Sequence, residues 1–309
     1  MKLATTTGDF GRFFPDNENK IRALYRAGFR HIDLSLYRDA DPASVYMREG
    51  WEKEVLRLRE VADELGMDFV QSHAPGGNPL EAGPRRELLL AATIRSIEIC
   101  GMLGIPNTVV HLGWADDLRY ADKAAEEAYF ARNMEFIGQL IPTMEKTGVM
   151  VLVENSTHAN MGERWYLYTG QEMKDFFAYA SHPLLGACWD TGHANVEGHQ
   201  YSDLTALGQD LRAIHFNDNH GKSDEHVMPW AGTMCVDEIL CGLRDIGYGG
   251  VFTFESDSTA RPANFWLGNR RRWQEEKIAE PPLALQEALE RALYICGETI
   301  LTTYGYTVE

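Results

Sequence analysis

A closed eight-stranded parallel (β/α)8 barrel, the TIM barrel, is the fold class that the sequence predicts. Three observations lead there. Eight short apolar runs alternate with longer amphipathic stretches from one end of the 309-residue chain to the other, the pattern of a parallel sheet. Gly28, Gly66, Gly104, Gly148 and Gly247 each end a helical stretch just before the next apolar run, as C-terminal helix glycines do. The turn after the first run, Thr5-Thr-Thr-Gly-Asp-Phe-Gly, holds two glycines but no G-x-G-x-x-G. A doubly wound open sheet built around a dinucleotide turn is therefore the lesser reading.

Taken in order, the predicted strands cover residues 2–6, 31–36, 68–73, 108–111, 150–154, 186–190, 213–216 and 251–255. The predicted helices cover 19–27, 51–65, 85–103, 121–146, 171–180, 204–211, 236–245 and 282–299. In 51–65 the apolar residues Val55, Leu58, Val61, Ala62 and Leu65 recur at helical spacing and give one buried face. No linker, low-complexity tract or Pro-rich hinge divides the chain, so residues 1–309 are read as one domain. An insertion at 256–281 follows the eighth strand and carries Phe265, Trp266, Arg270, Arg271, Arg272 and Trp273. In a barrel it would stand on the catalytic face, as a lid or subunit contact or as a plain surface segment.

Composition narrows the function classes. Hydrophobic residues at 44% and charged residues at 24% are globular proportions, not those of disorder. With 29 basic and 46 acidic residues the net charge is −17, which repels phosphate backbones and anionic membranes. Cys100, Cys188, Cys235, Cys241 and Cys296 show no C-x-x-C spacing, which speaks against a disulfide framework or zinc ribbon and for a reducing compartment. The opening MKLATTTGDF has no signal-like apolar run, and no uncharged apolar stretch reaches membrane-spanning length. A cytoplasmic protein with no membrane and no nucleic-acid partner is expected. Assembly into a homo-oligomer is expected, with a hetero-oligomer as the alternative.

Chemistry-bearing side chains gather at strand ends. Strands three and four end at His73 and His111; strands five to eight deliver Glu154, Asp190, His215 and Glu255. In a barrel these last four converge at the top of the pore. Three adjacent carboxylates resist joint ionisation, and a divalent cation resolves the conflict. Oxygen-rich ligation with one imidazole suits one Mn²⁺, Mg²⁺ or Co²⁺ better than a structural Zn²⁺, so Mn²⁺ is the expected cofactor ahead of Mg²⁺, Co²⁺ or Zn²⁺. The alternative is four separate rim residues, each satisfied by water or a neighbouring helix.

This quartet, with Asp190-Thr-Gly-His-Ala-Asn and Gly247-Tyr-Gly-Gly-Val-Phe-Thr-Phe-Glu255, resembles the xylose isomerase-like TIM-barrel superfamily over nearly the whole chain. Its members include sugar epimerases, inosose isomerases and dehydratases, hydroxypyruvate isomerases and endonuclease IV. The resemblance implies that Glu154, Asp190, His215 and Glu255 ligate the metal. It implies that His193 touches substrate or a second metal.

Endonuclease IV holds three zinc ions on nine ligands. Matching residue types stand here at His73, His111, Glu154, Asp190, His193, His215, Asp224, His226 and Glu255. The stretch Asn217 to His226 equally resembles the N-D-N-x-G-K-S-D-x-H loop of sugar isomerase-like relatives. The acidic net charge and the loop Gly8-Asp-Phe-Gly-Arg-Phe-Phe lack the cations that a DNA grip needs; Arg270–Arg272 is the one counter-sign. Trp114, Trp189 and Trp230 beside the proposed ligands, and Phe10, Phe13 and Phe14 in the first loop, suit the C–H faces of a sugar. Trp189, next to Asp190 in its strand, points to the opposite face and reads as core.

The sequence reading is thus a metal-dependent sugar or polyol isomerase/epimerase acting through an enediolate. Glu154 and Glu255 would transfer protons from opposite sides of the pore. His73, His111, Trp114, His193 and His226 would bind substrate. A lyase of the same family (a dehydratase or a C-glycoside-cleaving enzyme), an endonuclease IV-like zinc phosphodiesterase and a non-catalytic binding scaffold are the alternatives. Two departures from ketose 3-epimerases stand out. Asn160 occupies the place of their second glutamate, with Glu163 nearby, and their arginine after the strand-seven histidine is missing from Asn217, Asp218 and Gly221.

Overall fold

The computed structural model describes residues 1–198, 200–256, 259 and 281–309. The strands are β1 (Lys2–Thr6), β2 (His31–Ser35), β3 (Asp68–His73), β4 (Asn107–Val110), β5 (Met150–Glu154), β6 (Leu185–Asp190), β7 (Leu211–Phe216) and β8 (Val251–Phe254). They pair in parallel in chain order, and β8 returns to β1 to close the barrel. Around it run α1 (Asn17–Ala27), α2 (Trp51–Leu65), α3 (Pro84–Leu103), α4 (Lys123–Thr147), α5 (His158–Met161), α6 (Gly170–Ala180), α7 (Thr191–Glu197), α8 (Tyr201–Leu207), α9 (Val236–Asp245) and α10 (Leu283–Thr303). None of the described helices is long and apolar enough to cross a membrane.

Strand alternation sets the layers. Successive side chains of a strand face opposite ways. Val109, Leu152, Cys188 and Ala213 form a small buried cluster of their own, apart from the main core. Two residues further along the same strand faces stand His111, Glu154, Asp190 and His215. Under β4 to β7 the barrel interior is thus apolar, with the polar site stacked on it. Trp189, Val153 and Ile214 alternate outward into the large core beneath the helices, where Trp189 is fully buried and donates Nε1–H to Gln200 at 3.2 Å.

Two irregularities tune this alternation. Between β2 and β3 the register passes over Val70, so that Ile32 pairs with Phe69 and Asp33 with Gln71. Between β6 and β7 it passes over Arg212, pairing Ala187 with Leu211 and Cys188 with Ala213. Such bulges re-aim side chains beside active sites.

The structure corrects the element reading in places. The helix expected at 204–211 is Tyr201–Leu207, and Leu211 already opens β7. Gly208 ends that helix with φ 53°, a left-handed turn that favours glycine. The short helices α5 and α7 were not expected; four and seven residues show too little periodicity to read. Strand four ends at Val110 and strand eight at Phe254, so His111 and Glu255 stand one residue beyond them. Apart from its edges Ser256, Thr259 and Pro281, the 256–281 insertion, including Phe265, Trp266, Arg270–Arg272 and Trp273, lies outside the described residues.

Candidate metal centre and active site

Glu154, Asp190, His215 and Glu255 come together on the C-terminal face of the barrel. One ligand atom from each lies within 4.8 Å of all the others. Ligand bonds of about 2.0–2.4 Å place donors on opposite sides of one ion at most about 4.8 Å apart. Three carboxylates and an imidazole at this spacing fit one divalent cation.

Glu154 ends β5 and accepts from His215 Nδ1 at 2.6 Å through Oε1 and from His111 Nε2 at 2.5 Å through Oε2. His73 Nε2 lies 3.7 Å from the same Oε2. Burial alone would raise the Glu154 carboxyl, but His215 and His111 outweigh it and hold it well below the usual carboxylate range. Glu255 Oε2 is 3.5 Å from His215 Nδ1. Here burial prevails and raises the carboxyl. The two candidate acid/base groups therefore meet one ring nitrogen from β7 and are pushed in opposite directions.

Asp190 ends β6 and caps α7: its Oδ1 accepts the backbone N–H of His193 at 2.7 Å. Its Oδ2 accepts from Asn217 Nδ2 at 2.7 Å. Gly192 makes this possible, since a Cβ there would lie 1.9 Å from Asn217 Oδ1. The D-T-G-H string is thus a strand end, a helix cap and a close backbone approach in four residues. Burial raises the Asp190 carboxyl.

The histidines are fixed by backbone carbonyls. Nδ1 of His73 lies 2.7 Å from Ala74 O, Nδ1 of His193 2.7 Å from Asn155 O, and Nδ1 of His226 2.8 Å from Glu255 O. Each Nδ1–H donates to its carbonyl, and each Nε2 faces the site. Asp224 Oδ2 bridges His193 Nε2 at 3.2 Å and His226 Nε2 at 3.0 Å. Burial would lower both rings, yet Asp224 and Asp190 hold them well above the ordinary value. Asp190, His193 and His226 form a second group with ligand spacing.

His215 is held the other way round. Its Nδ1 faces the site, and its Nε2 lies 2.9 Å from Gln71 Nε2. Gln71 donates to Asp33 Oδ2 at 2.7 Å. All three side chains are fully buried. Burial would lower His215, but Cys188, Glu255 and Glu154 hold it well above its ordinary value.

The structure therefore brings His73, His111, His193 and His226 to the same cavity as Glu154 and Glu255, and Trp114 lines it as well. Phe14 lines it too, while Phe10 is buried out of reach and Trp230 is 60% exposed and outside the lining. The sugar-stacking reading holds no ground for those two. Asp33, Tyr37 and Asn155 were not singled out from the sequence, and Asn160 and Asn217 were noted only as departures from the ketose 3-epimerases and as part of the loop after strand seven. Asp33 and Gln71 carried a weak signal, a charged residue and an amide inside apolar strands. Tyr37 sits on a loop and gave none.

The model of the xylose isomerase-like TIM barrel matches residues 21–286. Among curated proteins, the uncharacterized protein y4fM of Sinorhizobium fredii is 26% identical over 261 residues, 77% of this chain and 80% of that protein. Inosose isomerase of Bacillus licheniformis is 25% identical over 166 residues, 52% of this chain and 56% of that enzyme. Among solved structures, D-psicose 3-epimerase with D-tagatose from Clostridium cellulolyticum superposes with a TM-score of 0.72 at 18% identity, over 97% of this chain and 99% of that one. The IOLI protein with a bound zinc atom gives 0.72 at 14% identity, over 99% and 100%. The family model spans most of the chain, including the ends of β3 to β8 that carry the site, and the chain belongs to the xylose isomerase-like TIM-barrel family.

Proposed function

We propose that the protein is a divalent-metal-dependent isomerase or epimerase of a neutral sugar or polyol, working by proton abstraction next to a carbonyl. The observation that carries this reading is the meeting of Glu154, Asp190, His215 and Glu255 within 4.8 Å at the ends of four consecutive strands. The inosose isomerase and psicose epimerase likenesses support the same class. An ion held by these four residues, Mn²⁺ first, would supply Lewis acidity to a substrate carbonyl and its neighbouring hydroxyl.

The rest falls to side chains. Of Glu154 and Glu255, one removes the proton α to the carbonyl and the other returns it. His111, hydrogen-bonded to Glu154, keeps that carboxylate oriented. His73, His193 and Trp114 line the same cavity and orient substrate hydroxyls. Asp190, held by His193 N–H and Asn217, stays a ligand rather than a base.

The test loads the protein with Mn²⁺ in D₂O and follows deuterium entry at the α-carbon of ketoses, inososes and keto-glycosides by NMR. Exchange lost on chelation and in Glu154→Gln supports the reading; no exchange with any carbonyl compound overturns it. Exchange with loss of water or an aglycone turns the isomerase into a lyase on the same residues. The Asp190–His193–His226 group favours one second reading, a phosphodiesterase with several zinc ions. Three zinc ions per chain by elemental analysis, with cleavage of abasic DNA, would select it against the net charge of −17.

A further inference from the structure

Helix α10 has two apolar sides. One faces the barrel, with Leu293, Gly297, Ile300 and Leu301 buried. On the other side Leu285, Ala288, Ala292, Ile295, Thr299 and Thr302 follow in alternating steps of three and four residues, the spacing that lets two helices pack along a seam. Leu285 is 43% exposed and Ile295 48%. Ala288, Thr299 and Thr302 are exposed as well, and Ala292 is half-buried. Thr299 Oγ1 donates to Ile295 O and Thr302 Oγ1 to Glu298 O, both at 2.7 Å, so the two hydroxyl protons are engaged within the helix. The other large apolar residues exposed on helices include Leu56, Met102 and Tyr179, which stand singly on α2, α3 and α6, as is ordinary for a surface.

The charges beside this stripe are balanced. Arg291 and Glu298 lie seven residues apart and are exposed. Arg291 is anchored by donating to Ala27 O at 3.1 Å, and a guanidinium has further donors. Arg26 of α1 pairs with Glu287 at 2.6 Å. Two cations and two anions make this face neutral on a chain of net charge −17. Two copies of the chain repel each other least here.

The stripe is also complementary to itself. Consider two copies of α10 side by side and antiparallel, with Ala292 of each opposite Ile295 of the other. The neighbouring layers then set Ala288 against Thr299 and Leu285 against Thr302, so each large residue meets a small one. The same register brings Arg291 beside Glu298 of the second copy, twice by symmetry, as an isologous interface requires. A parallel register would stack Ile295 on Ile295 and part Arg291 from Glu298.

We infer that α10 is a self-association face, on which two copies of the chain pair antiparallel along residues 285–302 as a twofold dimer. The inference stands apart from the sugar-isomerase reading, since α10 carries none of the site residues. At 1.5 Å per residue the 21-residue helix is about 31 Å long. One helix pair of that length stands at the low end of specific interfaces, so the dimer forms and parts with concentration.

The experiment is sedimentation equilibrium of the full chain from about 1 to 200 µM, with a dissociation constant in the range of about 1–100 µM expected. Ile295→Arg should raise it at least about tenfold, as loss of a central apolar contact does. Glu298→Arg sets like charges together and should raise it about three- to tenfold. Combining Glu298→Arg with Arg291→Glu restores opposite charges and should return the parent value. Thermal melts at a monomeric concentration should show Ile295→Arg and Glu298→Arg as stable as the parent, since neither side chain faces the barrel. A chain that is monomeric throughout would leave the face to some other partner and overturn the inference. A dimer indifferent to Ile295→Arg, or one that the double reversal fails to restore, would overturn it equally.

Discussion

Strands β5 to β8 lead into Glu154, Asp190, His215 and Glu255, whereas β1 to β4 lead into Thr6, Ser35, His73 and His111. The two halves of one rim thus differ in kind. On the later half every functional side chain is tied to another: Glu154 to His215 and His111, Asp190 to Asn217, Asp224 to His193 and His226. After β5 and β6 the chain turns at once into short helices, α5 starting four residues past Glu154 and α7 at Thr191 directly after Asp190, and the longer loop after β7 carries Asp224 and His226 back to the site. On the early half the loops after β1 and β2 are long and line open space. His73 and His111 reach Glu154 directly, while the buried pair Asp33 and Gln71 stands one layer below and meets the site at His215. The lesson is a division of labour. One half concentrates charge and demands rigidity, since a misplaced ligand is costly. The other half supports that charge from beside and beneath and lines open space above.

The hardest way to break this comparison is to remove charge from the later half alone. Glu255→Gln should lower α-carbon exchange by about 10²–10⁴-fold, the usual worth of a positioned acid or base. The circular dichroism spectrum should stay unchanged. Near-normal exchange with full metal content would take Glu255 out of proton transfer.

A change in the early half should act through the later one. Gln71→Met removes the hydrogen bond from beneath His215 at similar volume. Mn²⁺ affinity by titration calorimetry should fall about 10–100-fold, as when the supporting partner of a metal ligand is lost. An unchanged affinity would mean that the early half contributes space alone.

The same asymmetry explains what was legible in the sequence. The barrel was readable because its signals are local: apolar runs of strand length, and glycines where helices stop. Glu154, Asp190, His215 and Glu255 were readable because a charged residue closing an apolar strand needs a reason. Asp33 was missed as a supporting residue because its partner Gln71 is 38 residues away, and the bulge that aims the pair together exists only in three dimensions. Tyr37 was missed because the glycine that wedges it, Gly76, belongs to a different loop. α7 was missed although Asp190 is its cap, because a residue with two tasks reads as only one of them.

The smallest expected effect concerns pH, and it sharpens the comparison by isolating the later half's charge. In the metal-free protein His193, His215 and His226 have their protonation favoured well above the ordinary 6.5, because the carboxylates around them outweigh burial. A raised value in the folded state means that the stabilisation is complete below pH 6.5 and is lost as pH rises through the folded values. Asp224 and Glu154 lie well below their ordinary 3.8 and 4.5, so their contribution is present above those values and fades only in stronger acid. Burial raises Asp190 and Glu255, so they too lose stability as pH rises above their ordinary 3.8 and 4.5. The metal-free protein should therefore melt at a lower temperature at about pH 8 than at about pH 6. Mn²⁺ held as proposed would compete with protons for the same carboxylates and imidazole, so its binding would strengthen as pH rises, and a bound ion stabilises a fold by mass action. The gain in melting temperature on adding Mn²⁺ should then be larger at about pH 8 than at about pH 6, by several degrees for a chain of this size. The measurement is a pair of thermal melts, with Mn²⁺ and with chelator, at each pH. A gain independent of pH, or a metal-free protein that grows more stable between those values, would show that these carboxylates and histidines are not the groups that receive the ion.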